Sequence, residues 1–502
     1  MDTKSFFELD FNGALFPLKT NLLMIQNHHQ GLEAYISKIL SNDPAHVGDN
    51  FLPQTRVHAA KPRHHVRRTM VLDPIASYFL YDLIFRNREA FDLPVSDRRC
   101  AFGYRFNNDQ PISVHAAYKD YTNNIDAYGL TYQHSIAFDI ASYFNSVYHH
   151  DATNWFSSLP KISAVDGQAF GRFFREINSG RSIDFLPQGI YPSKMIGSAF
   201  LRYIETSGQI KSAQLLRFMD DIWLFDDDVE VLKLDFIRIQ ELLGLRALNI
   251  NPTKTLIDST NSSVRESASA IQKQLSEIVD SPNAFPTYSG SGFDIPDEEE
   301  DSDEEGDDSL LDETQVDRLL ELLVDPLAEE ADVETILKIL QEHFDGITTH
   351  LPLLLLRFPN IIKQLHKIAG SVTDKETLTR EIIVLLESPA SLMEYQLFWI
   401  AVIAEDYLGN TEDFGKLILK LYDRTAEHKI ARAKILEIPD QSFGLKEIRA
   451  EILKSGASDW PSWASAMGTR TLNKAERNHA LKYFSKGSPL NFLVAECVEG
   501  FA

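Results

Sequence analysis

Two adjacent carboxylates, Asp220 and Asp221, sit in the segment LLRFMDDIWLF between two apolar, aromatic-rich arms. Arms of that kind around a short acidic centre predict a tight β-hairpin with both carboxylates at its tip. Two anions held side by side against apolar strands repel each other, and divalent cations compensate them best. A third carboxylate, Asp139, lies at the end of the buried-strand pattern from Ser135 to Ile140, where a charged group needs a partner. Brought together, the three can hold two divalent cations, which is what in-line phosphoryl transfer to a hydroxyl requires. Lys254, in the stretch from Leu248 to Thr255, offers an ammonium able to protonate a pyrophosphate leaving group. Each residue alone also has an ordinary reading: an acidic turn, a helix cap, a surface lysine.

A basic cluster precedes them. Arg56, Lys61, Arg63, Arg67 and Arg68 crowd into one short segment, interleaved with His58, His64 and His65. Projected from a hairpin, such side chains neutralise the β- and γ-phosphates of a nucleotide; a solvated basic loop is the ordinary alternative. Patterning predicts the elements that must carry these groups. The spacing gives a helix from Pro74 to Phe85 and a turn over Ala141 to Val147 that opens a helix, with Tyr143, Phe144 and Val147 packed back. Leu186-Pro187-Gln188-Gly189 reads as a turn, since proline fixes φ and glycine permits close backbone approach. A helix then begins near Pro192 or Ser193, with Ile196, Phe200, Tyr203 and Ile204 on one stripe, and another spans Val231 to Leu243. Residues 1–50 carry no strong motif beyond a short helix from Leu32 to Leu40.

The chain has 502 residues, 44% hydrophobic and 24% charged, which is ordinary globular composition and room for two to four domains. A net charge of −24 looks hostile to nucleic acid, but about a dozen carboxylates and no Lys or Arg lie between Ser291 and Asp312. The part before that stretch is therefore nearly neutral and carries the basic cluster. Only Cys100 and Cys497 occur, which excludes a disulfide framework and a cysteine-rich zinc site and predicts a reducing, cytoplasmic setting. No apolar run approaches the ~20 residues that span a bilayer, and the N-terminus lacks a basic leader, so no membrane association is expected.

Four segments in this order resemble the successive motifs of reverse transcriptases: AFDIASYF, then LPQG with Ser193 four residues past its glycine, then FMDD, then Asn249 to Thr255. The segment from Lys61 to Arg68 sits where such enzymes carry their triphosphate-binding fingers. The resemblance covers about Arg56 to Thr255 and implies an α+β fold, with a fingers and palm domain over residues 1–285. It implies that Asp139, Asp220 and Asp221 bind two Mg²⁺ ions, with Mn²⁺ as a substitute, and that Lys254 is the proton donor. Lys61, Arg67 and Arg68 would hold the triphosphate of a dNTP, and Gln188 would approach the incoming nucleotide. Phe144, five residues after Asp139, would be a steric gate against the ribose 2′-hydroxyl. Phe218 replaces the tyrosine usual before x-D-D; the lost hydroxyl is not a metal ligand.

No thumb of the usual kind follows. One more amphipathic helix is expected over residues 262–281, and residues 286–312 have the composition of a disordered acidic linker. From residue 313 to 502 the period is helical, with stripes at Leu319, Leu320 and Leu323 and at Ile336, Leu337 and Leu340. Thr373 with Glu376 and Ser391 with Glu394 read as capping boxes, and Gly370 and Gly409 as C-terminal caps. An all-α domain results, with helices stacked in pairs like HEAT repeats. A palm without a thumb, followed by such a domain, is similar to the bacterial abortive-infection (Abi) reverse transcriptases of the AbiK-like group. That resemblance implies DNA synthesis without a template, primed from a tyrosine hydroxyl so that the DNA stays attached, in a homo-oligomer that defends against bacteriophage. Tyr35 is one primer candidate among 17 tyrosines. An RNA-templated enzyme of another defence system and an inactive palm used as a scaffold stand as alternatives.

Overall fold

In the computed structural model the described residues are 1–41, 43–46, 48–93, 95–182, 186–257, 313–340, 343–439 and 445–501. Helix α1 (Thr3–Phe11) is capped by Asp2, whose carboxylate accepts from the Ser5 amide. Helix α2 (Lys19–Ile39) extends far upstream of the expected Leu32 start. Leu18, the residue before it, has no side chain that can cap, so the local sequence carries no start signal. The cap comes instead from Glu437, whose two oxygens accept from the Lys19 and Thr20 amides at 2.8 and 2.7 Å. Strands β1 (Thr55–Lys61) and β2 (His65–Val71) form an antiparallel hairpin, and α3 (Pro74–Arg86) starts where predicted, capped by Asp73.

A five-stranded sheet follows. Its elements come in the order β3 (Arg99–Phe102), a small β4 (Phe106–Asn107) and β5 (Gln110–Pro111) ribbon outside the sheet, α4 (Val114–Thr131) and β6 (His134–Asp139). Helices α5 (Tyr143–Ser146), α6 (His149–Ser158), α7 (Ala164–Ile177), α8 (Tyr191–Phe200) and α9 (Tyr203–Thr206) lead to β7 (Gln214–Phe218) and β8 (Asp221–Asp226). Helix α10 (Val229–Gly244) and β9 (Leu256–Ile257) complete the unit. The strand order is β3-β7-β8-β6-β9, with β3 parallel to β7 and every other pair antiparallel. Leu215, Leu224 and Ile136 in its central strands are fully buried, and Phe236 of α10 packs edge-on against Phe138 at 5.0 Å.

The described C-terminal residues are helical, making the whole a mixed α+β structure. They form α11 (Glu313–Leu323), α12 (Glu330–Ile339), α13 (Leu351–Arg357), α14 (Ile362–Ala369), α15 (Lys375–Glu387), α16 (Glu394–Tyr407), α17 (Phe414–Arg424), α18 (Lys429–Glu437), α19 (Leu445–Lys454), α20 (Trp460–Gly468), α21 (Lys474–Phe484) and α22 (Pro489–Glu499). Helices here repeatedly pack on the second one along: α13 on α15, α14 on α16, α15 on α17, α16 on α18 and α18 on α20. The predicted capping boxes are not formed. Asp374 caps α15 by accepting from the Thr377 amide, while Thr373 bonds Asp345; α16 begins at Glu394 with Met393, not Ser391, ahead of it. Gly370 ends α14 in right-handed geometry, so its missing Cβ is not what stops the helix.

The helical part shares one apolar core with the N-terminal part. Helix α16 packs on β1, α22 on α2, and the Trp399 indole donates to the Leu15 carbonyl at 3.1 Å. Fully buried Lys434 sits between Glu405 and the capping Glu437, so the cap is itself charge-compensated. The expected helix over 262–281 and the acidic linker over 286–312 lie outside the described residues. Among the described residues no helix is long and apolar enough to cross a membrane.

Candidate active site

Strand β6 brings Asp139 directly opposite Asp221 of β8. Partners in an antiparallel ladder share a face, with Cβ atoms about 4.5–5.5 Å apart, so two residues far apart in the chain become immediate neighbours. Asp220 stands at the tip of the β7–β8 hairpin, between Met219 and Asp221. Burial first and the charge of Asp139 second push the Asp220 carboxyl up to about 6, against the pull of the Lys254 and Lys61 ammonium groups. Asp221 is raised well above the usual carboxylate range by burial and by Asp220. The carboxylates thus form one electrostatic cluster, as the residue types predict.

Lys254 reaches that cluster because the chain after α10 is zipped to the end of β6. The Ala141 amide donates to Asn249, the Asn251 amide donates to Asp139, and Ile140 bridges Ile250. Asn251 then caps a single tight turn over Pro252–Lys254. The Lys254 Nζ arrives 3.0 Å from Asp139 Oδ2. Asp139 Oδ1 is buried and accepts no hydrogen bond from the protein.

That orphan oxygen is the feature an added cation would satisfy, and an all-carboxylate donor set is the chemistry Mg²⁺ selects. Among the described residues no group of three or more His, Cys, Asp or Glu is already drawn together as a ligand set. Lys254 occupies one side of Asp139 and serves there as an internal counter-ion. The orphan oxygen and the carboxylate chemistry would suit a divalent cation, which would share Asp139 with Lys254.

The basic hairpin is split by its own register. Lys61 pairs with His65, Ala59 with Arg67, and Val57 with Thr69, which places Lys61, Arg67 and Thr69 on one face. Thr69 Oγ1 accepts from the Gln188 amide at 2.8 Å, so this face looks toward the Gln188 turn, and the charge of Lys61 reaches Asp220. Arg68 pairs with His58 on the opposite face and is exposed. The expectation that Arg67 and Arg68 act together is corrected accordingly: adjacent strand residues point to opposite sides.

Gln188 is half-buried and its amide nitrogen donates to Asn145 at 3.0 Å. Gly189 has φ of +91°, and a Cβ there would lie 2.4 Å from Leu15, so both the turn and the packing demand glycine. Phe144 is half-buried beside Tyr143, ring centroids 5.5 Å apart. Gly197 lies under both rings: a Cβ would stand 3.2 Å from Tyr143 and 3.4 Å from Phe144. Gly197, Asn145, Arg217 and Glu205 were not singled out by motif; only the Gly-Ser-Ala run of small residues in α8 hinted at close packing.

Tyr35 is not brought to this cluster. Its hydroxyl donates to Asp49 at 3.2 Å, and burial together with Asp49 and Asp73 raises its pKa. Tyr78, Tyr81 and Tyr143 are buried. At the hairpin turn, the Arg63 amide donates to Glu330 of α12 at 3.0 Å, and the Arg63 guanidinium lies 3.6 Å from Glu329.

Glu330 is buried, and that burial, aided by Glu334, pushes its carboxyl up to about 7 against the pull of Arg63. A carboxyl raised by folding gives stability that is full below its unfolded pKa and lost as pH rises through 7. Glu330→Gln is therefore expected to stabilise the protein at pH 8 by on the order of 2 kcal/mol and to do little at pH 4, as measured by urea denaturation. Equal effects at both pH values would contradict this assignment.

No protein-family model matches the chain, and no curated protein matches it.

Proposed function

We propose that the chain is a nucleotidyltransferase of the reverse-transcriptase type that polymerises dNTPs. The observation that carries this reading is the ladder pairing of Asp139 with Asp221, which sets Asp139 beside the adjacent Asp220 and Asp221. Asp139, Asp220 and Asp221 would hold Mg²⁺, or Mn²⁺, which supplies Lewis-acid neutralisation of charge on the transferring phosphate. Around that site the protein's own groups have distinct tasks. Lys61 and Arg67 share the face that receives a triphosphate, and their charges oppose its own. Lys254 stands 3.0 Å from Asp139 and can hand a proton to departing pyrophosphate. Phe144 narrows the space beside the sugar, which favours deoxyribose.

Within that class we place the chain with the abortive-infection group, acting in defence against bacteriophage without a template and as a homo-oligomer. Support comes from the mixed sheet unit packed against a helical part in which most helices stack on their second neighbours, as HEAT-like repeats do. The primer in this reading is a tyrosine hydroxyl, and Tyr35 would have to leave Asp49 to serve.

The test is incubation of the pure protein with each labelled dNTP and Mg²⁺, no nucleic acid added, followed by denaturing electrophoresis. Label that migrates with the protein, survives SDS and is released by nuclease is the expected result. Free DNA copied from a co-purifying RNA would establish templated synthesis instead, and no incorporation would refute the polymerase reading.

A further inference from the structure

Beneath the hairpin tip lies an ion pair to which the chemistry above assigns no task. Arg217 of β7 and Glu205 of α9 meet with both side chains fully buried. The Arg217 Nε donates to Glu205 Oε1, while Nη1 donates to the Met219 carbonyl at 2.8 Å. Met219 is the residue immediately before Asp220, and its φ of +57° puts a non-glycine residue in the left-handed region. Side chains there crowd the backbone, so the conformation persists only where the surroundings fix it. The two-residue turn between the paired Phe218 and Asp221 sets that φ, and the Arg217 guanidinium is the side chain bonded to the turn's Met219 carbonyl.

The pair is poorly arranged for stability alone. Arg217 Nη2 and Glu205 Oε2 are buried and lack hydrogen-bond partners. A buried ion pair with unsatisfied atoms is no better for folding than a well-packed apolar pair, and frequently worse. What an apolar pair does not supply is a donor to the Met219 carbonyl.

We propose that Arg217, oriented by Glu205, is a positioning residue that clamps the Met219 turn and so fixes where Asp220 stands relative to Asp139. This deepens the polymerase reading and rests on it for its consequence in turnover. The clamp itself is a statement about the hairpin and holds or fails separately.

Arg217→Met alone would leave the Glu205 charge buried without a partner and is expected to misfold. The informative variant is Arg217→Met combined with Glu205→Leu, which removes both charges and keeps the volume. Hydrogen exchange of the full-length protein is expected to show the amides of Met219, Asp220 and Asp221 exchanging at least tenfold faster in the double variant. Amides in the middle of β7 and β8 should keep their protection, and the melting temperature should stay within a few degrees. Nucleotide incorporation should lose at least tenfold in kcat with the dNTP KM within about twofold, because the triphosphate-binding face is untouched.

A double variant that keeps both tip protection and wild-type kcat would overturn the proposal. So would one that loses tip and strand protection together, since the pair would then be holding the sheet. If the wild-type protein incorporates no nucleotide, the polymerase reading fails, and the exchange of the three tip amides still decides whether Arg217 clamps the turn.

Discussion

Asp139→Asn is expected to lower nucleotide incorporation by about a thousandfold, equivalent to roughly 4 kcal/mol of transition-state stabilisation, without unfolding the protein. Asparagine matches aspartate in shape, and the β6–β8 ladder and the hydrogen bond from the Asn251 amide involve only the backbone of residue 139, so both survive. What disappears is one of three negative charges, together with the partner of Lys254.

The stability of the same variant separates a functional role from a structural one. In the wild-type protein the Asp220 carboxyl is pushed up to about 6 by burial and by Asp139. Burying Asp220 beside Asp139 therefore costs stability as pH rises through 6. Removing the Asp139 charge relieves part of that cost, and the melting temperature of metal-free protein at pH 7.5 is expected to hold or rise. Loss of activity accompanied by a large fall in melting temperature would make Asp139 a structural residue.

The second large effect belongs to Phe144. Phe144→Ala is expected to raise the use of ribonucleotides relative to deoxyribonucleotides by tenfold to about a hundredfold, the range that a pocket wall controls when it must reject one added hydroxyl. The ring is held in place from two sides, by Tyr143 at 5.5 Å between centroids and by the close approach of Gly197 beneath. Tyr143 is itself fixed by a hydrogen bond from its hydroxyl to the Gly197 carbonyl at 2.7 Å. A wall so supported does not yield to a 2′-hydroxyl by rotating away, and truncating it opens space without disturbing the carboxylates. Competition between labelled ATP and dATP measures the ratio. An unchanged ratio with normal turnover would remove Phe144 from sugar selection.

Much of the site was legible in the sequence because its signals are local. Apolar arms around Met219-Asp220-Asp221 specify a hairpin, and the apolar run Ile136-Ala137-Phe138 specifies the buried strand that ends at Asp139. The topology that makes Asp139 and Asp221 partners is a long-range pairing, and only the order of the motifs hinted at it.

Other features were hidden for identifiable reasons. The extent of α2 depends on a cap contributed 417 residues away by Glu437. Arg217 and Glu205 look like ordinary surface charges in a linear reading, because nothing in their neighbourhoods reveals that each is buried against the other. The separation of Arg67 from Arg68 follows from alternation, but only once the hairpin register is known. The packing of the C-terminal helices on β1 and α2 joins parts that composition alone divides at an acidic stretch.

The claim on which all of this turns is that Asp139, Asp220 and Asp221 jointly hold divalent cations. Titration of Mn²⁺ followed by electron paramagnetic resonance, with a dNTP analogue that cannot be transferred, measures that directly. The account predicts saturable binding by the wild-type protein, weakened at least tenfold by Asp139→Asn and at least as much by Asp221→Asn. Binding of equal strength in the wild-type protein and both variants would contradict it.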